Sequence, residues 1–426
     1  MKVLVIGGGG REHAICWAVA RSGRVSDIVC VPGNAGIAAI AHTEPGNVED
    51  VPAMIALAER VQPDLTIVGP EAPLVLGLAD ELRSRGYRVV GHSSAAARLE
   101  GSKIFAKEFM ARHDIPTARF VACDTPDAAR AAIRDAGFGL PVVIKADGLA
   151  AGKGVRIAQS VNEADEAIQA FMVDRELGAA GERVLIEEAM SGREASLLYF
   201  TDGARLVPMP AAQDYKRIGD GDQGPNTGGM GTFSVDGLVD AELARHVLDS
   251  VAVPTLVGMR AEGCPLSGIL YVGLMLTADG PRVLEYNMRF GDPETQSVLK
   301  RLDSDVVELF SGIADGSLAD VEPVWSSDAA MCLVLASQGY PGAYAKGKPI
   351  TGIGDAEAIE GVTVFHAGTA RDADGTTVTA GGRVLGVTAR AATLEKARAS
   401  AYEAARRIHF DGMTFRTDIG AEAGGK

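Results

Sequence analysis

The chain has 426 residues, 47% of them hydrophobic, and a formal net charge of −15. That length is too great for a single compact core and predicts about three domains. Acidic residues outnumber basic ones by 56 to 41, which argues against nucleic acid as a partner, because such binding depends on cations that neutralise phosphates. No apolar run approaches the roughly 20 residues needed to cross a bilayer. We therefore expect a cytoplasmic protein with small-molecule partners, no nucleic acid and no membrane.

The first hundred residues alternate between short apolar strands and helical patterns. This alternation predicts an α/β domain with a doubly wound parallel sheet. The strands are expected at Val3–Ile6, Ile28–Val31, Leu65–Val68 and Arg88–Val90, and the helices at His13–Ser22, Val51–Val61 and Leu74–Arg85.

A glycine-rich turn, Gly7 to His13, follows the first strand. It does not fit the dinucleotide fingerprint Gly-x-Gly-x-x-Gly, because the third position is Glu12 counted from Gly7 and His13 counted from Gly8. NAD is therefore disfavoured, and a nicotinamide oxidoreductase with it. A glycine turn at a helix N-terminus still presents main-chain N–H groups to an anion, so we predict that it holds one phosphate of a small substrate.

A second glycine loop joins predicted strands at Pro141–Lys145 and Val155–Ala158. It is not a Walker A loop, because only three residues separate Gly148 from Gly152 and a strand follows where a P-loop would open a helix. Lys145 and Lys153 beside these glycines suit a flexible lid that closes over phosphates. A plain surface hairpin is the alternative, but it does not account for the two lysines.

A predicted strand pair carries the most distinctive chemistry. The apolar run Ser267–Leu276 and a hairpin signal at residues 278–280 predict that Arg282–Met288 returns beside a buried strand. Because strand side chains alternate, Val283, Glu285, Asn287 and Arg289 should share one face, with successive members roughly 7 Å apart, and Leu284, Tyr286 and Met288 should face the core. Hard oxygens beside a cation suit Mg²⁺ and phosphate. A solvated strand edge is the alternative.

The remaining segments give weaker signals. The run Gly224–Gly231 should lack regular structure and be either functional or disordered. Helices are expected at Asp240–Glu262 and Asp303–Gly312, strands at Ala330–Ala336, Thr363–Ala367, Thr376–Thr379 and Arg383–Thr388, and a last helix at Thr393–Ile408. Because no charged cluster with catalytic spacing follows residue 325, we expect a small structural α+β domain that packs beside the site and completes its pocket.

The segment Arg289 to Gln296, reading Arg-Phe-Gly-Asp-Pro-Glu-Thr-Gln, resembles the signature of the phosphoribosylamine–glycine ligase family, ATP-grasp enzymes of purine biosynthesis. The resemblance extends over almost the whole chain. It implies a Rossmann-like domain at residues 1–101, a two-lobed ATP-grasp region at 102–325 with its small lobe near 123–190, and a C-terminal domain at 326–426. The chain departs from the family at His92, where proline is usual.

The resemblance also implies roles for individual residues. It assigns Mg²⁺ or Mn²⁺ to Glu285 and Asn287, and catalysis to Arg289 and Asp214. ATP is assigned to Lys103, Lys145, Gly152, Lys153, Gly154, Glu187, Glu188, Ala189 and Glu194. Substrate is assigned to Gly9, Gly10, Arg11, Glu12, Asn34, Ala35, Gly36, Gly69, Pro70, Glu71, Asp214, Gly228, Gly229, Arg289, Asp292, Pro293 and Glu294. For residues 33–36 a plain tight turn remains the alternative.

The reaction implied by the resemblance joins glycine to 5-phosphoribosylamine at the expense of ATP, through glycyl phosphate, in a monomeric enzyme. The nearest alternative is another ATP-grasp carboxylate–amine ligase of purine metabolism. A nucleotide-binding regulatory protein without chemistry is a further alternative. The row Glu285, Asn287 and Arg289 argues against it, because binding alone would not need a metal beside a guanidinium.

Overall fold

The structure is a computed structural model and describes residues 1–150 and 153–421. Its N-terminal segment forms a parallel sheet with helices between the strands. The elements are β1 (Lys2–Gly7), α1 (Gly10–Ala20), β2 (Asp27–Pro32), β3 (His42–Thr43), α2 (Val51–Val61), β4 (Leu65–Val68), α3 (Glu71–Val75), α4 (Leu78–Ser84), β5 (Val89–Val90) and α5 (Ser94–Gly101). The strand order β3-β2-β1-β4-β5, parallel throughout, confirms the doubly wound prediction.

Burial explains why this sheet was readable from the sequence. The side chains of Val3–Ile6 in β1 are fully buried, and strands covered on both faces give continuous apolar runs. The single helix predicted at Leu74–Arg85 is wrong. It is two helices, α3 and α4, because Gly77 has a φ of +85°, a left-handed conformation that interrupts the helix and suits glycine.

The next segment comprises α6 (Lys103–Arg112), β6 (Phe120–Cys123), α7 (Pro126–Asp135), β7 (Val142–Ala146), β8 (Val155–Ala158), α8 (Val161–Ile168) and β9 (Val184–Glu188). Its four strands form an antiparallel sheet in the order β6-β9-β7-β8. The Ser102 hydroxyl accepts the Phe105 N–H and caps α6. β7 pairs antiparallel with β8, so the loop between them leads into a strand and is not a P-loop.

The central segment comprises β10 (Arg193–Thr201), β11 (Leu206–Pro208), β12 (Gln213–Asp214), β13 (Arg217–Gly219), β14 (Gln223–Asn226), β15 (Gly231–Ser234), α9 (Ala241–Val247), α10 (Val253–Ala261), β16 (Gly268–Thr277), β17 (Gly280–Asn287), α11 (Glu294–Lys300) and α12 (Val306–Asp315). Four of its strands form a second antiparallel sheet in the order β11-β10-β16-β17. The predicted β16–β17 hairpin is confirmed.

A β-bulge corrects the predicted faces of β17. The register shifts where Gly273 pairs with Glu285 and Leu274 pairs with Val283. An extra residue at a bulge breaks the alternation of side chains. Val283 therefore lies in the core with Tyr286 and Met288, whereas Leu284 lines the site cavity beside Glu285.

One other prediction of local structure is corrected. Gly224, Pro225 and Asn226 are not irregular, since they belong to β14, which pairs with β13 in a short ribbon. The end of the signature, Glu294–Gln296, begins α11, a helix that the sequence did not predict. Its residues are buried on every side, so the helix lacks the amphipathic pattern by which it could have been found.

The C-terminal segment supplies most of an antiparallel sheet. Its elements are β18 (Ala329–Ser337), α13 (Ile353–Glu357), β19 (Val362–His366), β20 (Thr369–Arg371), β21 (Thr377–Thr379), β22 (Arg383–Ala391), α14 (Leu394–Arg407) and β23 (Met413–Thr414). The sheet runs β12-β15-β18-β22-β19, so two strands from before residue 326 complete it. The domain bounds drawn from the sequence stay predictions.

One apolar core joins these segments. It contains Ile15 of α1, Phe290 after β17, Phe310 of α12 and Phe365 of β19, all buried. The core holds β1, α12 and β19 beside Phe290, just after β17, and the end of β17 lines the site cavity. Among residues 1–150 and 153–421, no helix is long and apolar enough to cross a membrane.

Candidate active site

The cavity has a volume of about 530 Å³ and is lined by residues from every segment of the fold. Its size is that of a ligand pocket for small molecules. One end is bounded by α6, β7 and the loop that precedes β8, and the other by the loops around Gly228 and Asp292. The end of β17 lies between them.

Glu285, Asn287 and Arg289 all line the cavity, so the predicted row of polar side chains is confirmed as geometry. Arg289 Nη2 donates to Asn287 Oδ1 at 3.1 Å. Burial raises the pKa of Glu285, but Lys216, Lys145 and Lys103 outweigh it and hold that pKa below its ordinary value. Within the described residues the Glu285 carboxylate makes no salt bridge, so a charged oxygen pair faces the cavity.

A buried cluster of lysines forms the end of the cavity below the glycine loop. Glu187 Oε2 lies 3.0 Å from Lys145 Nζ and 3.2 Å from Lys107 Nζ. Lys103 Nζ donates to the Gly148 carbonyl at 2.9 Å. Burial lowers the pKa of Lys107 to about 8, although Glu187 opposes that shift. The cluster carries more positive than negative charge and suits a polyanion.

The opposite end of the cavity is acidic. Asp214 and Glu294 lie there, and Lys216 Nζ is 4.0 Å from Asp214 Oδ2 and 2.9 Å from Glu194 Oε2. Burial raises the pKa of Asp214 to about 7; Lys216 lowers it, and the nearby carboxylates raise it further. Tyr271 donates to Glu294 Oε1 at 2.9 Å. A cationic ligand at this end would relieve the repulsion among the carboxylates.

Arg289 is held by carboxylates on both sides. Its Nε donates to Glu71 Oε2 at 3.2 Å, and its Nη2 lies 2.7 Å from Glu100 Oε1. Nη1 also donates to the Phe290 carbonyl at 3.3 Å, and Arg11 Nη1 donates to the same oxygen at 3.0 Å. Three of the five N–H groups of Arg289 thus donate hydrogen bonds to protein acceptors, and Glu100 pairs with the guanidinium as an ion. Within the described residues, two N–H groups donate no hydrogen bond to the protein.

The glycine turn after β1 encloses a carboxylate of its own. Glu12, 2% exposed, accepts the Gly9 N–H at 2.6 Å. A Cβ atom on Gly69 would lie 2.2 Å from Glu12 Oε1 and one on Gly7 would lie 2.4 Å from Glu12 Cγ, so these glycines leave room for that side chain. Phosphate binding at this turn stays a prediction, and Glu12 would have to release Gly9 for it.

Comparisons with known proteins point to one family over almost the whole chain. Family models of phosphoribosylglycinamide synthetase match it as an N domain over residues 1–100, an ATP-grasp (A) domain over 101–295 and a C domain over 330–422. The phosphoribosylamine–glycine ligase of Vibrio parahaemolyticus is 48% identical over 426 residues, which cover 99% of this chain and 98% of that protein. The protein of the same name from Brucella melitensis is 47% identical over 423 residues, with the same coverage. The chain belongs to the phosphoribosylglycinamide synthetase family.

Solved structures show the same architecture. The crystal structure of phosphoribosylamine–glycine ligase from Thermotoga maritima has a TM-score of 0.85 and 38% identity, covering 99% of this chain and all of that one. The biotin carboxylase domain of 2-oxoglutarate carboxylase from Hydrogenobacter thermophilus, solved with magnesium and ADP, has a TM-score of 0.74 and 17% identity, with coverage of 97% and 91%. The second likeness shows the fold alone. Together they confirm the predicted ATP-grasp architecture.

The donor set on β17 fits a metal shared with phosphates. Among the residues that the structure describes, no three His, Cys, Asp or Glu side chains converge as an all-protein metal site. Mg²⁺ is commonly held by one or two carboxylates together with substrate phosphates. Glu285 supplies a charged oxygen pair that makes no salt bridge with any described residue, and Asn287 supplies an amide oxygen, which together suit such a shared ion.

Many of the residues assigned by resemblance meet in the cavity. They are Arg11, Pro70, Glu71, Lys103, Lys145, Lys153, Gly154, Glu187, Asp214, Gly228, Glu285, Asn287, Arg289, Asp292 and Glu294. Their roles stay predictions. Gly152 lies outside the described residues.

Other assigned residues stand behind or away from the cavity wall. Glu188 pairs with Arg119 at 2.6 Å and with Arg282 of β17 at 3.0 Å. Asn34 donates to the carbonyls of Gly8 and His366 and accepts the N–H groups of Gly36 and Ile37, so its side chain would have to release these partners to bind substrate. The others in this group are Gly9, Gly10, Glu12, Ala35, Gly36, Gly69, Ala189, Glu194, Gly229 and Pro293.

The sequence reasoning missed several charged or aromatic wall residues. They are Glu100, Lys107, Lys216, Tyr271, Tyr340, Tyr344 and Arg383. A signal existed for Lys107, because it lies four residues after Lys103 and thus on the same face of α6. Arg383 had none, since the distant chain segments that it contacts are brought together only by the fold.

Proposed function

We propose that the protein joins glycine to 5-phosphoribosylamine, with ATP as the energy source, to give glycinamide ribonucleotide, ADP and phosphate. The observation that carries this proposal is full-length similarity, at nearly half identity, to proteins named phosphoribosylamine–glycine ligase. The cavity supports it independently, because a lysine-rich end and an acidic end flank one row of metal-suited oxygens.

The lysine-rich end suits the phosphates of ATP. Lys103, Lys145 and Lys153 line it, and ammonium groups offset the charge that spreads over phosphate oxygens during transfer. Mg²⁺ or Mn²⁺ would be held by Glu285 and Asn287, and when bound it supplies charge neutralisation at the transferred phosphate. The H. thermophilus neighbour solved with magnesium and ADP supports this pairing of nucleotide and metal at the level of the fold.

The acidic end suits an amino acid with its ammonium group. Asp214, whose pKa burial raises to about 7, gains a countercharge when an ammonium group binds beside it. Arg289 lines the same cavity with two N–H groups that donate no hydrogen bond to a described residue, and these can hold a carboxylate oxygen. Glycine bound between Asp214 and Arg289 would have its carboxylate directed towards the metal-suited oxygens of Glu285 and Asn287.

The order of bond changes follows from carboxylate chemistry. A free carboxylate is a poor electrophile, so it needs activation before an amine can attack it. One glycine oxygen bonds to the γ-phosphorus as the bond to ADP breaks, giving glycyl phosphate. The amine of phosphoribosylamine then bonds to the acyl carbon and loses a proton, and phosphate leaves with the oxygen that had bonded to phosphorus. Arg289 offsets the charge on the tetrahedral oxyanion.

The test is ADP release with glycine and phosphoribosylamine supplied together and separately. The proposal expects release only when both are present. Equal release with another carboxylate–amine pair of purine metabolism, and none with this one, would assign the protein to a different ligase. We further propose a monomeric cytoplasmic enzyme, in keeping with its net charge of −15 and small-molecule substrates.

A further inference from the structure

Arg383, at the start of β22, ties together two loops of the acidic end. Its Nη1 donates to the Asp292 carbonyl at 2.6 Å and also to the carbonyl of Gly228, 155 residues away in sequence. Its Nη2 lies 3.1 Å from Asp292 Oδ2. One guanidinium therefore fixes the loop after β14 against the loop after β17.

A second C-terminal side chain holds the other side of the same peptide. The Gly228 N–H donates to the Tyr340 hydroxyl at 2.9 Å. The Tyr340 ring is itself wedged against Gly382, where an added Cβ would lie 2.1 Å from ring carbon Cδ2. Gly229, with a φ of +109°, backs onto Pro293. The loop is thus held from both sides of Gly228 and cannot shift without breaking contacts to the C-terminal segment.

Arg390, on the same strand as Arg383, joins two segments of the chain but does not line the cavity. Arg390 of β22 pairs with Asp303 and Asp328, each at 2.9 Å, outside the cavity wall. Arg383 instead lies in that wall, beside Asp292 and Glu294. Its contacts therefore set the shape of the acidic end, whereas those of Arg390 only join segments.

We propose that Arg383, assisted by Tyr340, is a positioning residue for the glycine and phosphoribosylamine half of the site. It acts through Gly228 and Asp292. This inference rests on the proposed function. Because the lysine-rich end has other walls, from α6, β7 and the loop before β8, the nucleotide does not depend on Arg383 for its binding.

The test compares Arg383→Met, Arg383→Lys and Tyr340→Phe in the full chain, with Arg390→Met as the control. The measurements are KM for glycine and phosphoribosylamine, kcat, and the dissociation constant of MgADP without the other substrates. For Arg383→Met we expect at least a tenfold rise in KM for glycine or for phosphoribosylamine, together with a lower kcat. The dissociation constant of MgADP should stay within twofold of the wild-type value. Arg383→Lys keeps the charge but has one nitrogen where arginine uses Nη1 for the carbonyls and Nη2 for the Asp292 carboxylate, so it should recover only part of the loss. Tyr340→Phe should show a smaller loss of the same kind.

Arg390→Met should lower the thermal midpoint without changing KM for glycine or for phosphoribosylamine by more than twofold. Unchanged KM values for both substrates in Arg383→Met would overturn the proposal. An equal rise in KM in Arg390→Met, at the same stability, would also overturn it. If Arg383→Met does not fold, unchanged KM values in both Arg383→Lys and Tyr340→Phe overturn it. A wild-type protein that makes no product would instead refute the proposed function, so the two failures are distinguishable.

Discussion

Glu100 bridges the side chain of Arg289 and the main chain one residue before it. Its Oε1 lies 2.7 Å from Arg289 Nη2, and its Oε2 accepts the Met288 N–H at 2.7 Å. Burial raises the pKa of Glu100 to about 7, with Arg289 opposing that shift. The carboxylate therefore sets both the rotamer of the arginine and the direction in which the chain leaves β17.

Replacing Glu100 with glutamine should weaken the hold on Arg289 while preserving size. The amide can still accept the Met288 N–H, but a charged hydrogen bond contributes about 1.5–3 kcal/mol. We expect kcat/KM for glycine to fall roughly tenfold to a hundredfold, with the thermal midpoint little changed. Glu108→Gln, at an exposed site on α6, is the control. Wild-type kcat/KM in Glu100→Gln would show that Arg289 does not need this partner.

Removing the oxygens of the metal row should abolish turnover. Glu285→Ala and Asn287→Ala each delete one of the two groups that would hold the ion, and losing the charge neutralisation that the ion would supply should cost several kcal/mol of transition-state stabilisation. The fold should remain, because both side chains face the cavity. Initial rates across a magnesium titration measure the effect, with Asp279→Ala in the exposed hairpin as the control. Full activity in the double variant at ordinary magnesium would contradict the assignment.

His92 should make the free energy of unfolding depend on pH. It is fully buried; Nδ1 accepts the Ser267 N–H at 3.1 Å, and Nε2 lies 2.9 Å from the Ile269 carbonyl. Burial, with Arg83 nearby, lowers its pKa from 6.5 to about 4. Between these values the unfolded chain binds a proton that the folded chain does not. This contribution to stability is present above pH 6.5 and is lost as the pH falls to 4, by at most about 1.4 kcal/mol per pH unit.

Urea unfolding between pH 7.5 and 4.5 measures that dependence. In His92→Gln the free energy of unfolding should fall less steeply with decreasing pH than in the wild type. The difference in slope should be at most about 1.4 kcal/mol per pH unit, which corresponds to one proton. Equal slopes would mean that His92 is protonated in the folded state or titrates alike in both states.

Adding a methyl group at Gly69 should destabilise the turn around Glu12. The new Cβ would lie 2.2 Å from Glu12 Oε1, and overpacking a filled site typically costs about 1–3 kcal/mol. Gly23→Ala is the control, because nothing lies within 4 Å of a Cβ there. The thermal midpoints of Gly69→Ala and Gly23→Ala, each compared with that of the wild type, measure this destabilisation. Equal midpoints would show that Glu12 moves aside freely.

Local pattern was enough for much of the fold. β1, β4 and the β16–β17 hairpin follow from apolar runs and a turn signal, because local sequence records burial and chain reversal. The bulge at Leu284 could not be foreseen, since it depends on how β17 pairs with β16. The helix α11 escaped for a related reason. Full burial removes the polar face that would mark a helix, and that burial is itself a consequence of the tertiary fold.

In the candidate site too, residues close in sequence could be predicted, whereas those that meet only through the fold could not. Glu285, Asn287 and Arg289 were found together because they are close in sequence on one strand. Glu100 and Arg383 were not, because each reaches its partner across the fold: Glu100 lies 188 residues from Met288, and Arg383 lies 91 residues from Asp292. With one sequence, long-range pairing of charges leaves no periodic signal.

The central claim is that ATP activates the carboxylate of glycine, and the fate of one oxygen tests it most directly. Glycine labelled with heavy oxygen in its carboxylate is supplied with unlabelled ATP, phosphoribosylamine and magnesium, and the released phosphate is analysed by mass spectrometry. The proposed order of bond changes predicts one labelled oxygen in each phosphate released, because the oxygen that attacks phosphorus leaves with it. Unlabelled phosphate, or label in ADP, would mean that ATP activates something other than the glycine carboxylate.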